Sequence, residues 1–70
     1  MMPLTFANPN EENIIRKIGG SNEVKQHLED LGFVVGARIR VITQLNGNLI
    51  VNVKESRVAL NRDMAAKIMI

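Results

Sequence analysis

The sequence has no cysteine, tryptophan or tyrosine, and His27 is its single histidine. Without cysteine, the chain can form no disulfide, no thiolate metal site and no cysteine nucleophile. One histidine does not supply the ligand cluster that a transition-metal site needs, so we predict no metal site and no cofactor, and we place His27 at a helix surface. Ser21 and Ser56 each lack an evident general base, because the chain has no histidine besides His27 that could serve as one. We therefore predict no catalytic residue and no enzymatic activity.

A long apolar run and a basic amino-terminal segment are also missing. The opening MMPLTFANPNEEN has no continuous apolar core, and no run approaches the ~18 residues of a membrane span. We therefore expect no secretion signal, no transmembrane helix and a cytoplasmic location. The net charge is only +2 and the charges are scattered, which is a weak electrostatic footprint for nucleic acid. The 70 residues predict one domain, 1–70, near the lower size limit for a single core.

One segment, from Ile18 to Ile39, predicts a short helix together with its two ends. Gly19 and Gly20 permit a turn, and Ser21 can then accept a hydrogen bond from a free amide of the first helical turn. Turn geometry explains these glycines, and without a following Gly-Lys-Ser/Thr no phosphate loop is predicted. An apolar stripe at helical spacing follows: Val24, Leu28 and Leu31.

The helix is predicted to end at Leu31, because Gly32 fits the left-handed position that closes many helices. Phe33 is the apolar residue that can fold back onto Leu28 from there. Gly36 permits a second turn before the next strand begins at Arg38.

Alternating apolar residues predict five short strands at 14–18, 38–44, 48–54, 57–60 and 67–70. Asn46-Gly47 predicts a tight hairpin, because a type I′ turn needs positive φ at both central residues. Asn61 is predicted to cap a single helical turn. Residues 7–13 are predicted to form a loop, and residues 1–3 a mobile end. The pattern predicts a mainly β fold with one short α-helix, closed into a small antiparallel β-barrel of the SH3-like type.

The order of these elements and several short motifs resemble the FeoA family of ferrous iron transport proteins. The resemblance covers 14–70 and rests on Ile18-Gly19-Gly20, LEDLGF at 28–33, Gly36-Ala37-Arg38-Ile39, RVAL at 57–60 and AAKI at 65–68. It implies a small cytoplasmic module that docks on FeoB, the membrane permease with a GTPase domain, and modulates it or helps to assemble it. Recruitment to the inner face of the membrane would follow from that docking. A similar module is the regulatory domain of iron-dependent repressors, which is a second interpretation.

The candidate docking residues are apolar side chains without a clear place in the core, together with two arginines on one strand face: Leu28, Leu45, Ile50, Met64, Arg38 and Arg40. Leu28 enters through the resemblance, which implies partner contact for the helix that carries LEDLGF, although its place in the stripe favours the core. The competing interpretation is that the apolar residues extend the core over the end of the barrel.

An RNA-binding adapter is the alternative from another class, because Arg38 and Arg40 with Arg57 form a modest basic patch. The stacking aromatics of such proteins are missing, since Phe6 and Phe33 are both expected to be buried, and no nucleic-acid partner is predicted. The last strand, 67–70, could pair between copies and give a weak homo-oligomer.

Overall fold

The computed structural model describes all 70 residues. The elements in chain order are a 3₁₀ helix Leu4–Phe6, β1 Glu12–Ile14, β2 Lys17–Ile18, α1 Asn22–Asp30, β3 Arg38–Leu45, β4 Asn48–Val53, β5 Ser56–Leu60, α2 Arg62–Ala65 and β6 Ile68–Met69. The strands form two antiparallel sheets, one in the order β1-β3-β4-β5 and one of β2 with β6. The predicted mainly β architecture with one short helix is therefore correct, but the strands do not close into one continuous ladder.

A corner between β1 and β2 explains why the predicted strand 14–18 is two strands. The Ile15 amide donates to the Ala37 carbonyl (2.9 Å), whereas the next amide, of Arg16, donates to the Met69 carbonyl (2.8 Å). The chain thus leaves β3 and joins β6 within one residue. Ile15 fills the corner and is buried, while Ile14 lies on the exposed side.

Both ends of α1 follow the local sequence signals. The Val24 amide donates to Ser21 Oγ (3.3 Å), which caps the first turn as predicted. Gly32 has φ +105°, and the Phe33 amide donates to the Leu28 carbonyl (2.9 Å). This hydrogen bond closes the helix by the Schellman arrangement, and it brings the Phe33 ring into the core.

The two hairpins of the larger sheet have tight turns with left-handed residues. Asn46 (φ +54°) and Gly47 (φ +85°) connect β3 to β4, as predicted. Within β3 the pairing shifts between Val41 and Thr43, so Ile42 is an extra residue, a β-bulge. The bulge reverses the alternation that follows it, so Thr43 is exposed, although regular alternation from Ile39 and Val41 would turn it inward.

Fifteen apolar residues form one core between the sheets and α1: Leu4, Ala7, Ile15, Ile18, Leu28, Phe33, Ile39, Val41, Leu49, Val51, Val53, Leu60, Ala65, Ile68 and Ile70. Leu49, Val51 and Val53 of β4 point inward, in agreement with the alternation of apolar residues from which this strand was predicted. The predicted burial of Phe6 is wrong, because its side chain is 68% exposed. Its 3₁₀ helix has about three residues per turn, so positions 4 and 6 point in different directions and only Leu4 reaches the core.

The first residues are fixed by the last ones, contrary to the predicted mobile end at 1–3. The Met2 amide donates to the Ile70 carbonyl (3.0 Å), and the Ile70 amide donates to the Met2 carbonyl (2.8 Å). Pro3 also pairs with Met69. Because β2 occupies the other side of β6, this last strand has no free edge, and the predicted pairing of 67–70 between copies is wrong. The predicted loop 7–13 is also too long, since β1 begins at Glu12.

Candidate functional site

The outer face of the four-stranded sheet carries most of the candidate docking residues. We define this face by the side chains of β1, β3, β4 and β5 that point away from the core. Strand register aligns them in rows across the sheet, with Thr43, Ile50 and Ala59 in one row and Glu12, Arg40, Asn52 and Arg57 in the next. One half of the face is therefore apolar and the other half is charged.

The apolar half surrounds a shallow cavity of about 310 Å³ at the β3–β4 hairpin. Its lining residues are Thr43, Leu45, Asn48, Leu49, Ile50 and Ala59. We call four of them, the side chains of Thr43, Leu45, Ile50 and Ala59 on the outer face, the apolar patch. Leu45 is 71% exposed and Ile50 is 36% exposed, so both have apolar area that a partner could cover. The bulge at Ile42 sets this arrangement, because Leu45 pairs with Asn48 and lies on the same face as Ile50 only after the register shift.

The charged half is organised around Glu12. Its carboxylate lies 4.0 Å from Arg38 Nε and 3.7 Å from Arg40 Nη2. Arg40 also donates from Nη1 to the Asn10 carbonyl (3.0 Å), so its guanidinium is held in place. These ion pairs are exposed, and each contributes at most about 1 kcal/mol. The Glu12 carboxylate thus partly neutralises Arg38 and Arg40. The spacing of the two arginines on one strand did not indicate this ion pairing.

The structure separates the other predicted docking residues from this face. Leu28 is 0% exposed and cannot contact a partner in the folded protein, so its prediction as a docking residue is wrong. Leu28 belongs to the apolar stripe of α1 that packs against the core, which is the position that its helical spacing predicted. Met64 is half-buried against the core, next to the hydrogen bond from its own amide to Asn61 Oδ1 (2.8 Å). The capping of α2 by Asn61 is confirmed.

A second concave surface was missed from the sequence. It is a cavity of about 440 Å³ at the end of the barrel, lined by Thr5, Phe6, Gln44, Gly47, Arg62 and Ala66. Gln44 donates from Nε2 to the Thr5 carbonyl (3.3 Å), which ties the 3₁₀ helix to β3. The only sequence signal for this cavity was Phe6, two positions after Leu4. The segment around Phe6 is too short to show a hydrophobic periodicity, so the exposure of Phe6 could not be predicted.

No group of three or more histidine, cysteine, aspartate or glutamate side chains is placed to hold a metal ion. His27 is exposed on α1, where the sequence placed it. None of the helices is both long and apolar enough to cross a membrane.

Comparison with known proteins identifies the fold and the family. The model of the FeoA domain family matches residues 2–70, almost the whole chain. The chain belongs to the FeoA family. A curated FeoA relative, the "Putative Fe(2+) transport protein A" of Methanocaldococcus jannaschii, is 39% identical over 70 residues, which is 100% of this chain and 85% of the relative. The resemblance noted in the sequence is thus confirmed.

Two solved FeoA structures have the same fold. The crystal structure of an iron uptake regulatory protein (FeoA) superimposes with a TM-score of 0.88 at 29% identity, over 97% of this chain and 90% of the other. The FeoA of Stenotrophomonas maltophilia, solved with zinc and described as an SH3 domain protein, superimposes with a TM-score of 0.84 at 21% identity, over 99% of this chain and 88% of the other. The SH3-like fold is therefore confirmed.

Proposed function

We propose that this FeoA protein is a cytoplasmic accessory factor of ferrous iron transport that docks on a FeoB-type permease and modulates or helps to assemble it. The family and the name of its curated relative support the link to ferrous iron transport. FeoA is not a known enzyme family, and we propose that this chain acts by binding and not by catalysis. Contact with the permease would bring it to the inner face of the membrane.

The apolar patch is the observation that carries the docking proposal. Leu45 stands at the start of the hairpin with most of its side chain in solvent, and Ile50 faces the same cavity. An apolar surface with polar residues at its rim, here Asn48 beside the cavity and Asn52 in the next row, is typical of protein interfaces. The patch is small, so we expect a transient complex of modest affinity.

The hairpin presents this patch in a fixed geometry. β3 and β4 pair from Ile39 to Leu45, and the turn at Asn46-Gly47 has the left-handed backbone that a two-residue hairpin needs. A preformed surface loses little conformational entropy on binding, which favours docking without rearrangement of the barrel.

A binding titration with one variant and one matched control tests the proposal. Full burial of a leucine side chain is worth about 1.5–3 kcal/mol, so covering the exposed part of Leu45 would contribute roughly 1–2 kcal/mol. We expect Leu45→Ser to weaken binding to the purified cytosolic GTPase part of FeoB, or to the whole permease in nanodiscs, by about 6- to 30-fold. Val35→Ser is the control, because Val35 is similarly exposed but precedes β3, at the far end of that strand.

The proposal fails if the folded wild-type protein binds neither the cytosolic part nor the whole permease. It also fails in its choice of surface if Leu45→Ser and Val35→Ser weaken binding equally. If binding is observed, rates of GTP hydrolysis and of ferrous iron uptake, measured with and without the accessory protein, would distinguish modulation of the permease from its assembly.

A further inference from the structure

We infer that the outer face recognises a partner segment of defined chemistry, an apolar side chain with a carboxylate about 8 Å away. This inference rests on the proposed function and specifies the partner for the same surface. The apolar side chain would occupy the cavity beside Leu45 and Ile50. The carboxylate would lie against Arg57 and its neighbours in the charged half.

The spacing comes from the strand register. Ile50 and Asn52 are two residues apart on β4, so their side chains lie on the same face about 7 Å apart. Arg40 and Arg57 flank Asn52 on the two neighbouring strands, each about 4.8 Å to the side. The separation between the apolar cavity and Arg57 is therefore about 8 Å. Residues two apart in an extended segment, or one turn apart in a helix, could bridge it.

The charge of this face favours an acidic partner. The charged half contains four cationic side chains, Arg38, Arg40, Lys54 and Arg57, and two acidic ones, Glu12 and Glu55. The excess of two positive charges equals the net charge of the whole chain, so the rest of the molecule is close to neutral. A third cavity, of about 420 Å³, is lined by most of these groups and by Asn52, which pairs with Arg57, and it gives an acidic side chain room to approach.

Arg57 is a cation of the face that is free to pair with a partner. Both ion pairs of the structure are made by Glu12, with Arg38 and Arg40, and Arg57 forms none. Lys54 also forms none, but it lies in the turn between β4 and β5, further from the apolar patch. Arg57 is exposed and belongs to β5, which is an edge of the sheet. A partner carboxylate can therefore pair with it without breaking an existing ion pair.

A protein segment fits this face better than RNA does. Single-stranded RNA is bound by stacking on aromatic side chains, and the outer face has none. Phe6, the one exposed aromatic, lines the cavity at the end of the barrel together with Gly47 and Arg62. The apolar patch would also have no function in binding phosphates.

Charge reversal at Arg57 tests the inference in the same titration against the cytosolic part of FeoB. We expect Arg57→Gln to weaken binding by about 2- to 5-fold, through loss of an exposed ion pair. Arg57→Glu should weaken it by about 10-fold or more, because it places like charges together, and it should reduce the dependence of the dissociation constant on salt. Arg16→Glu is the matched control, because it makes the same change of charge on an exposed residue between β1 and β2.

Three results would overturn the inference, and they differ in whether the docking proposal remains valid. If Arg57→Glu and Arg16→Glu behave alike while Leu45→Ser still weakens binding, the docking proposal holds and the acidic partner segment is refuted. If the wild-type protein does not bind, both proposals fail together. If a labelled oligouridine binds the wild-type protein, loses affinity on Arg57→Glu and is unaffected by Leu45→Ser, the face is a nucleic-acid surface. Unchanged folding of each variant is checked by circular dichroism.

Discussion

Replacing Leu28 by alanine separates the core interpretation of α1 from the docking interpretation. Leu28 is fully buried, and removing such a leucine side chain typically destabilises a protein by about 2–5 kcal/mol. A 70-residue domain has roughly 4–10 kcal/mol of total stability. We therefore expect Leu28→Ala to remove roughly a fifth or more of the free energy of unfolding, and to lower the melting temperature by about 10–30 °C. Alanine favours helix formation, so the loss comes from packing and not from helix propensity.

Leu31→Ala is the matched comparison, because the same substitution is made one turn further along at a side chain that is 37% exposed. It should cost about 1 kcal/mol, since part of the Leu31 side chain is already in water. Urea denaturation followed by circular dichroism measures both variants. Equal losses for the two substitutions, or a loss below about 1 kcal/mol for Leu28→Ala, would refute the assignment of Leu28 to the core. At a temperature where Leu28→Ala is folded, its affinity for FeoB should match that of the wild type.

Two further predictions concern the backbone and a buried polar group. Gly47→Ala and Gly36→Ala should each cost about 1 kcal/mol in urea denaturation, because both glycines have positive φ (+85° and +91°). A methyl group at Gly47 would meet Arg62 Nε at 2.6 Å, while one at Gly36 meets nothing, but the long Arg62 side chain can move away. A much larger loss for Gly47→Ala would show that Arg62 is fixed. Asn13→Val should raise the melting temperature, because Asn13 Nδ2 is buried without a hydrogen-bond partner, and valine suits a strand. The expected gain is about 1 kcal/mol, and a loss would indicate that a bound water satisfies Asn13.

Features decided by residues close in sequence were predictable. The capping of α1 by Ser21, its end at Gly32 and the turn at Asn46-Gly47 each depend on a few adjacent residues and on the φ angles that they permit. The alternation along β4 was predictable for the same reason, since one face of that strand is buried.

Features decided by distant contacts were not predictable. The corner at Ile15 exists because the chain changes its partner from β3 to β6, and the first residues are fixed by Ile70, at the other end of the chain. The pairing with β6 and the pairing with Ile70 cannot be predicted from the hydrophobic periodicity of residues 14–18 or of the first residues. Phe6 was misplaced because a three-residue helix shows no period.

The candidate site was predicted in part. Ile50 was found because it interrupts the polar face of its strand, and Leu45 because it stands at the hairpin without a clear place in the core; both are exposed. The neutralisation of Arg38 and Arg40 was missed, because Glu12 was placed in a loop, whereas it belongs to a strand that pairs with β3.

The bulge at Ile42 has a consequence for how this surface can change during evolution. Side chains in a strand alternate between two faces, and a bulge accommodates one extra residue without moving the later positions to the opposite face. Thr43 pairs with Ile50 directly after the pair Val41–Val51, so deletion of Ile42 would leave Thr43 and Leu45 on the outer face and Gln44 on the inner one. Related barrels that lack this residue would therefore expose the same hairpin side chains from a strand that is one residue shorter. Alignments of such chains should place gaps at the bulge before residues of the hairpin are compared.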